Sequence, residues 1–316
     1  MTEKMWINLV HLGSNMWNEE GNRTGREHRS TPEASPVLRF DRKLWNGYMD
    51  YMKQAGVNTL VIDVGEAMRY ESHPELAVEG SWTHEQMRAE VKRLEAMGFE
   101  VIPKLNFSAC HDIWLKEYSR MLSTKPYYAV CRDVIREVLE VFQPRHFHLG
   151  MDEETANNQR NFRHITVRTG ELWWHDLYYL VDLVEKENVQ AWVWSDYCWA
   201  KSDEYVSHMP KSVIQNTWYY HNIFDDRVDG FWGPGLRTFE ILDSHGFTQV
   251  PAGSIFFEKE NMELLTQYCA EHLDGTRIPG YMQTVWERVA DGWMDMHYEA
   301  VDRLKASKAW FEANTR

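Results

Sequence analysis

The densest group of reactive side chains is residues 145–154, RHFHLGMDEE. Asp152 and Glu153 are adjacent carboxyls. Like charges side by side repel, so one of the two is expected to keep its proton to higher pH, which lets one acid and one base coexist near neutrality. On a strand, alternation would put His146, His148 and Gly150 on one face and Phe147 and Leu149 on the other. Gly150 leaves room for a ligand or an abrupt turn. Neighbours on a regular strand point to opposite faces. Asp152 and Glu153 can therefore serve one site only if the backbone leaves strand geometry there; otherwise they are solvated loop acids or a helix cap.

The elements that must position this pair follow from periodicity. Short apolar runs at 5–12, 57–64, 99–107, 146–150, 189–196, 213–219, 248–255 and 279–286 read as strands. Helical stripes fit 41–55, 83–97, 127–142, 172–187, a short piece from 202, then 236–245, 259–272 and 294–311. Gly56 and Gly98 stop two of these helices, and Thr83 with Gln86 makes a capping box. Eight strand–helix units imply a parallel sheet closed as a (β/α)8 TIM barrel, in the α/β class, with residues 1–316 as one catalytic domain. A doubly wound open sheet would want a Gly-rich phosphate loop after an early strand, and the sequence has neither G-x-G-x-x-G nor a P-loop.

In a barrel the site gathers at the C-terminal ends of the strands. There stand His11, Asn15 and Trp17; Asp63, Glu66 and Arg69; Asn106 and His111; Asp152, Glu153 and Glu154; Asp196 and Tyr197; Trp218, Tyr219, Tyr220 and His221; Glu258; and Trp286, Glu287 and Arg288. Tips rich in carboxylate, aromatic, His and Asn, and poor in Lys, suit a neutral polyhydroxylated ligand better than a phosphorylated one. The 15 Trp, 15 Tyr and 13 Phe among 316 residues supply flat faces for core packing and for sugar stacking. A net charge of −14 argues against capture of nucleic acid or anionic membrane. No apolar run is long enough for a membrane span, and the N-terminus reads as a first strand rather than a signal peptide. The four scattered cysteines fit reduced thiols in a cytoplasmic protein.

The strand-four run His148-Leu149-Gly150-Met151-Asp152-Glu153 resembles the H-x-G-x-D-E signature of glycoside hydrolase family 20, the β-N-acetylhexosaminidases. The segment from Gly98 to Pro103, with Lys104, Leu105, Asn106 and the later His111, is similar to that family's strand-three stretch. Val285-Trp286-Glu287 is similar to its strand-eight Trp and Glu, and the loop His73-Pro74-Glu75-Leu76 also fits. The resemblance implies a retaining exo-β-N-acetylhexosaminidase that works by substrate assistance, without a protein nucleophile or a cofactor. It implies Glu153 as general acid and base, and Asp152 as anchor of the acetamido N–H. His111, His148, Trp194, Trp218, Tyr219, Trp286 and Glu287 become candidate substrate contacts. Trp192, Trp194, Trp218 and Trp286 are candidates for the wall around the acetamido methyl, and Tyr219, then Tyr197, for the donor to the acetamido oxygen. The partner is the non-reducing end of a small carbohydrate or glycan.

The chain departs from the family pattern. His11, Asn15 and Trp17 stand where an early Arg is usual, Lys104 and Asn106 replace acids on strand three, and Ser108-Ala109-Cys110-His111 replaces a P-G-H turn. Strand seven, at Gly253-Ser254-Ile255-Phe256, lacks the family's Tyr and Asp. Such changes fall on residues that read sugar hydroxyls, so N-acetylgalactosamine is expected as a substrate alone or beside N-acetylglucosamine. Three other readings stay open. His146, His148, Asp152, Asp196 and Glu287 could ligate a divalent ion in a sugar-isomerase-type barrel. Glu153 and Glu287 could form a two-carboxylate glycosidase. The barrel could also bind sugar without turnover. Arg23, Arg26 and Arg29 could reach over the site as a lid.

Overall fold

The computed structural model describes residues 3–21, 32–160, 162–225, 227–228 and 230–315. Arg23, Arg26 and Arg29 lie outside the described residues.

Eight parallel strands alternate with eight helices. The strands are β1 (Met5–His11), β2 (Thr59–Asp63), β3 (Glu100–Lys104), β4 (His146–His148), β5 (Gln190–Trp194), β6 (Ile214–Asn216), β7 (Ala252–Ser254) and β8 (Gly280–Thr284). The helices are α1 (Arg42–Ala55), α2 (His84–Ala96), α3 (Lys125–Phe142), α4 (Glu171–Glu185), α5 (Ser202–His208), α6 (Trp232–Ser244), α7 (Asn261–His272) and α8 (Met294–Asn314). The sheet runs β6-β5-β4-β3-β2-β1-β8-β7. Its two ends meet through the parallel bridges Gln215↔Gln249 and Trp218↔Ala252. Backbone bonds from Val250 to Gln215 at 2.8 Å and from Ala252 to Thr217 at 2.7 Å sew that seam. The fold is therefore a closed (β/α)8 barrel.

Local chemistry sets the ends. Asp41 caps α1 by accepting from the N–H groups of Lys43 and Leu44, and Gly56, at φ +87°, closes it. Thr83 and Gln86 form the capping box of α2. Two boundaries differ from the periodic reading. α6 starts at Trp232, because Pro234 in a first turn has no partner to lose. β7 shortens to three residues because Pro251 brings no N–H to the ladder.

The inward faces carry Ile7, Leu9, Val61, Ile102, Trp192, Trp194, Ile214, Val250 and Met282, which form the barrel's own core. Outward faces pack with the helices in a larger cluster that includes Trp6, Trp45, Tyr48 and Trp173. Above the inner core lies a polar layer of His11, Asp63, Lys104, His148 and Asn216, all buried. It forms the floor beneath the tip of β4. Among the described residues, no helix is long and apolar enough to cross a membrane.

Candidate active site

Strand geometry ends at His148, and the backbone then turns left-handed three times. Gly150 and Met151 have φ of +74° and Glu153 has φ of +54°. Positive φ costs an L-residue about 1–3 kcal/mol and persists only where the surroundings enforce it. This irregular turn brings Asp152 and Glu153 to one side. His111 spans them, with Nδ1 3.2 Å from Asp152 Oδ2 and Nε2 3.7 Å from Glu153 Oε2.

The turn is enforced by the loop after β3. Asn106 donates from Nδ2 to Asp152 Oδ1 at 2.8 Å, while its Oδ1 accepts from the N–H groups of Ser108 and Met151. An added Cβ at Gly150 would run into that amide, so this close approach requires glycine. The Ser108 hydroxyl donates to the Asp152 carbonyl. The Ala109 N–H donates to Glu154 Oε2 at 3.1 Å, and the Cys110 thiol donates to the Glu153 carbonyl at 2.9 Å. Residues 108–111 thus each hold the acidic turn. From the other side, Asp196 after β5 accepts the Glu153 N–H at 2.8 Å and the Trp218 indole N–H at 3.3 Å.

Glu154 is drawn away from the pair. It is ion-paired with Arg168 at 2.6 Å, and Arg168 also reaches Asp176 at 3.2 Å; all three side chains are buried. Arg168 Nη2 donates to the Phe107 carbonyl at 2.6 Å, which ties the stretch after β4 to the end of β3.

Charge is divided sharply. Burial pushes the Asp152 carboxyl up, but the His111 charge and hydrogen bond, with Lys104 and Asn106, more than offset it and hold the group well below the usual carboxylate range. Burial pulls His111 down, yet Asp152 and Glu153 raise it to about 9. Asp196 is pushed up to about 7 by burial and by the charges of Asp152 and Glu153. His148 is fully buried and held down at about 3, by burial and then by Lys104. Its Nδ1 accepts from the Gly150 N–H at 3.0 Å, so the neutral ring carries its proton on Nε2, 3.1 Å from Asn216 Oδ1. Lower in the layer, Asp63 joins His11 at 2.7 Å and Lys104, and these partners hold its carboxyl low against burial.

The aromatic candidates separate by strand parity. Asn216, Trp218 and Tyr220 point inward after β6, and Tyr219 points out. The Tyr219 hydroxyl donates to the Ile223 carbonyl, and its ring packs 5.1 Å from Phe224. Tyr197 stacks on Trp173 at 4.2 Å and hydrogen-bonds Glu204 and Lys201, away from the acids. Tyr220 belongs to the inner cluster, 5.0 Å from Trp218. Burial pushes its hydroxyl far above the ordinary tyrosine range, and the charges of Asp152 and Glu153 add to this, against the polar groups of Thr284 and Trp286. Trp194 lies 4.8 Å from His148 and 5.7 Å from Trp286. Trp192 sits deeper, 5.3 Å from His146. Trp286 has φ of +60°, a second strained tip residue, and Glu287 beside it is buried.

Of the residues singled out from sequence, one group forms: His111 meets Asp152 and Glu153, Trp218 joins them through Asp196, and Trp194 packs against Trp286. His148 supports it from beneath, and Tyr219 is turned away. The five candidate metal ligands do not assemble: His146 pairs with Glu100 at 2.7 Å at the other end of β4, and His148 bonds Asn216. A different trio does: one ligand atom each of His111, Asp152 and Glu153 lies within 4.8 Å of the others. Arg168 was not singled out from sequence; Asp196 and Tyr220 were placed at strand tips, and Asp196 as a candidate metal ligand, but neither among the substrate contacts. Alternation from Asn216 was the available signal for Tyr220; for Arg168 there was none.

No family model matches the sequence, and no curated protein matches it. Solved structures do share the fold. The β-N-acetylhexosaminidase of Bacteroides fragilis NCTC 9343 superimposes with a TM-score of 0.64 at 12% identity, over 99% of this chain and 71% of that one. A glycoside hydrolase family 20 β-N-acetylhexosaminidase of Streptomyces coelicolor A3(2) gives 0.64 at 12%, over 96% and 64%. The family 20 exo-β-N-acetylglucosaminidase of Vibrio harveyi, in complex with N-acetylglucosamine, gives 0.65 at 13%, over 100% and 55%.

Proposed function

We propose that this chain is a glycoside hydrolase, a retaining exo-β-N-acetylhexosaminidase that releases terminal N-acetylgalactosamine, N-acetylglucosamine or both by substrate assistance. The carrying observation is the division within one turn. Asp152 is held ionised and its side chain is 10% exposed, whereas the neighbouring Glu153 side chain is 39% exposed at the mouth. Fold likeness to structures described as β-N-acetylhexosaminidases supports the same reading.

In this mechanism the acetamido oxygen of the bound sugar attacks its own C1. The C1–O bond breaks, and Glu153 gives its proton to the departing oxygen. Entry of the sugar strips water from Glu153 and favours its neutral form at that moment. Asp152 accepts the acetamido N–H; with Asn106 and His111 each taking one site, its carboxylate keeps lone pairs for this bond. Its fixed negative charge opposes the positive charge of the oxazolinium. Glu153 then takes a proton from water as that water opens the ring at C1, so configuration is retained. Trp194, Trp218 and Trp286 wall the acetamido methyl, and the Tyr220 hydroxyl donates to the acetamido oxygen. The buried, unpaired cysteines fit a reducing compartment.

The test is release of nitrophenol from the 4-nitrophenyl β-glycosides of N-acetylglucosamine, N-acetylgalactosamine, glucose and galactose. Cleavage confined to the acetamido sugars, with kcat lowered about 10²-fold or more in Asp152→Asn, is the expected result. Equal cleavage of sugars without the acetamido group would sink it. A second reading rests on the His111, Asp152 and Glu153 trio, whose spacing also admits a divalent ion. Activity abolished by EDTA and restored by one metal would favour that reading.

A further inference from the structure

On the same face of the barrel lies a second cavity, of about 540 Å³, lined by none of the residues assigned above to the sugar or its chemistry. Its walls come from the stretches after β1, β2 and β3, at Asn15, Glu66 and Ile113, with Arg163 from the stretch after β4. Val78, Ile113 and Trp114 give it a buried apolar side. Its charged side is lopsided: the carboxyls of Glu19, Glu20, Glu66, Glu79 and Glu117 stand against the cations Lys116, Arg120 and Arg163. The Trp114 indole N–H donates to the Asn106 carbonyl at 3.0 Å, so this cavity shares a wall with the loop that holds Asp152.

The three cations are already engaged. Lys116 Nζ donates to the carbonyls of Glu75 and Ala77. Arg120 reaches Asp112 and the His164 carbonyl, each at 3.2 Å. Arg163 donates to the Glu20 carbonyl at 3.0 Å and stands 3.9 Å from Glu19. Glu20, Glu66, Glu79 and Glu117 make no ion pair among the described residues. Glu66 is the decisive one. It is 2% exposed, and its Oε1 accepts from the N–H groups of Ser14 and Asn15 at 2.7 and 3.0 Å. Among the described residues no side chain donates to it. Burial pushes it up to about 6, because those N–H groups and the Arg39 charge offset only part of the cost. Buried carboxylates are ordinarily paired with a cation. This one lines a cavity, where a ligand can bring the missing charge.

We propose that this cavity binds a linear polyamine, a chain of methylenes that carries several ammonium groups. Glu66, Glu79, Glu117 and Glu20 receive the ammoniums, and the side formed by Val78, Ile113 and Trp114 receives the methylenes. A metal ion does not match the same walls. Among the described residues, only His111, Asp152 and Glu153 bring three ligand atoms within 4.8 Å of one another, so no three carboxyls of this cavity converge on a point. Charges spread along a wall call for a ligand whose charges are spread as well. The net charge of −14 draws any cation toward the protein, so the shape of the cation is what distinguishes this site from general attraction.

The experiment is calorimetric titration of the full chain with spermidine, and with hexaamminecobalt(III) as a compact cation of the same charge. Spermidine should bind at one site per chain with a Kd below about 1 mM, and more tightly than the cobalt complex. The double variant Glu79→Gln/Glu117→Gln should weaken it about tenfold. Both positions are exposed, and an unaltered melting temperature checks the fold. Glu66→Gln keeps an acceptor for the Ser14 and Asn15 N–H groups and should weaken binding about tenfold or more. Asp152→Asn should leave the affinity unchanged. Absence of saturable binding overturns the proposal. Equal affinity for the cobalt complex overturns it in favour of general attraction by an acidic surface. Binding lost in Asp152→Asn but kept in the glutamate variants overturns it by moving the cation to the acidic turn after β4.

Discussion

Asp152 and His111 are a buried pair whose protonation states are fixed by each other, and that makes the site sensitive to pH in a defined direction. His111 is raised from 6.5 to about 9, so its contribution to folding is present in full below about 6.5 and is lost as pH rises through about 9. Asp152 is depressed, so its contribution is present above about 4 and is lost as pH falls toward its folded value. Urea unfolding of wild type and His111→Asn between pH 6 and 10 checks the first half: the difference in stability should shrink from pH 6.5 to 9. A constant difference would mean that the pair is not charged. Asp196 gives the second residue-scale expectation. It is pushed up to about 7 by burial and by Asp152 and Glu153, so it titrates near neutral pH. Asn at this position keeps an acceptor for the Glu153 N–H but cannot ionise. The pH profile of kcat/KM should lose an inflection near 7 in Asp196→Asn, and an unchanged profile would reduce Asp196 to scaffolding.

At the scale of elements, the tip of β4 concentrates the strain and the loop after β3 contains it. Gly150→Ala would force a side chain into a left-handed turn and into the Asn106 amide. It should cost well over about 1 kcal/mol in denaturant unfolding and disturb both carboxyls at once. Arg168 is the second restraint. Replacing it by Met leaves Glu154 and Asp176 buried without their cation, and should lower unfolding stability by about 3–5 kcal/mol. A loss under 1 kcal/mol would show that the triad is not what holds the turn. The strands and helices themselves were legible because each buries one face, and burial writes a period into the sequence. The acidic pair was legible as a motif. What periodicity could not show was the turn that makes Asp152 and Glu153 neighbours in space, since positive φ at Met151 and Glu153 comes from contacts 40 or more residues away. The Tyr219 expectation missed for a simpler reason: inward alternation continues past the end of β6, so Tyr220 takes the interior place.

Across the whole molecule the barrel is closed unevenly. β1 and β2 pair as a ladder over five residues, whereas the seam between β6 and β7 is held by two bridges and the backbone bonds around Gln215 and Ala252. Hydrogen exchange should therefore open the Val250 and Ala252 amides before those of β1 and β2, and uniform protection around the barrel would contradict this. The interior tryptophans have an optical consequence as well. Trp194, Trp218 and Trp286 stand at the C-terminal ends of β5, β6 and β8, within energy-transfer range of one another, and two of them are almost fully dry. Their emission is thus a built-in reporter: a ligand that displaces water from these strand tips changes the light the protein gives off, with no label attached.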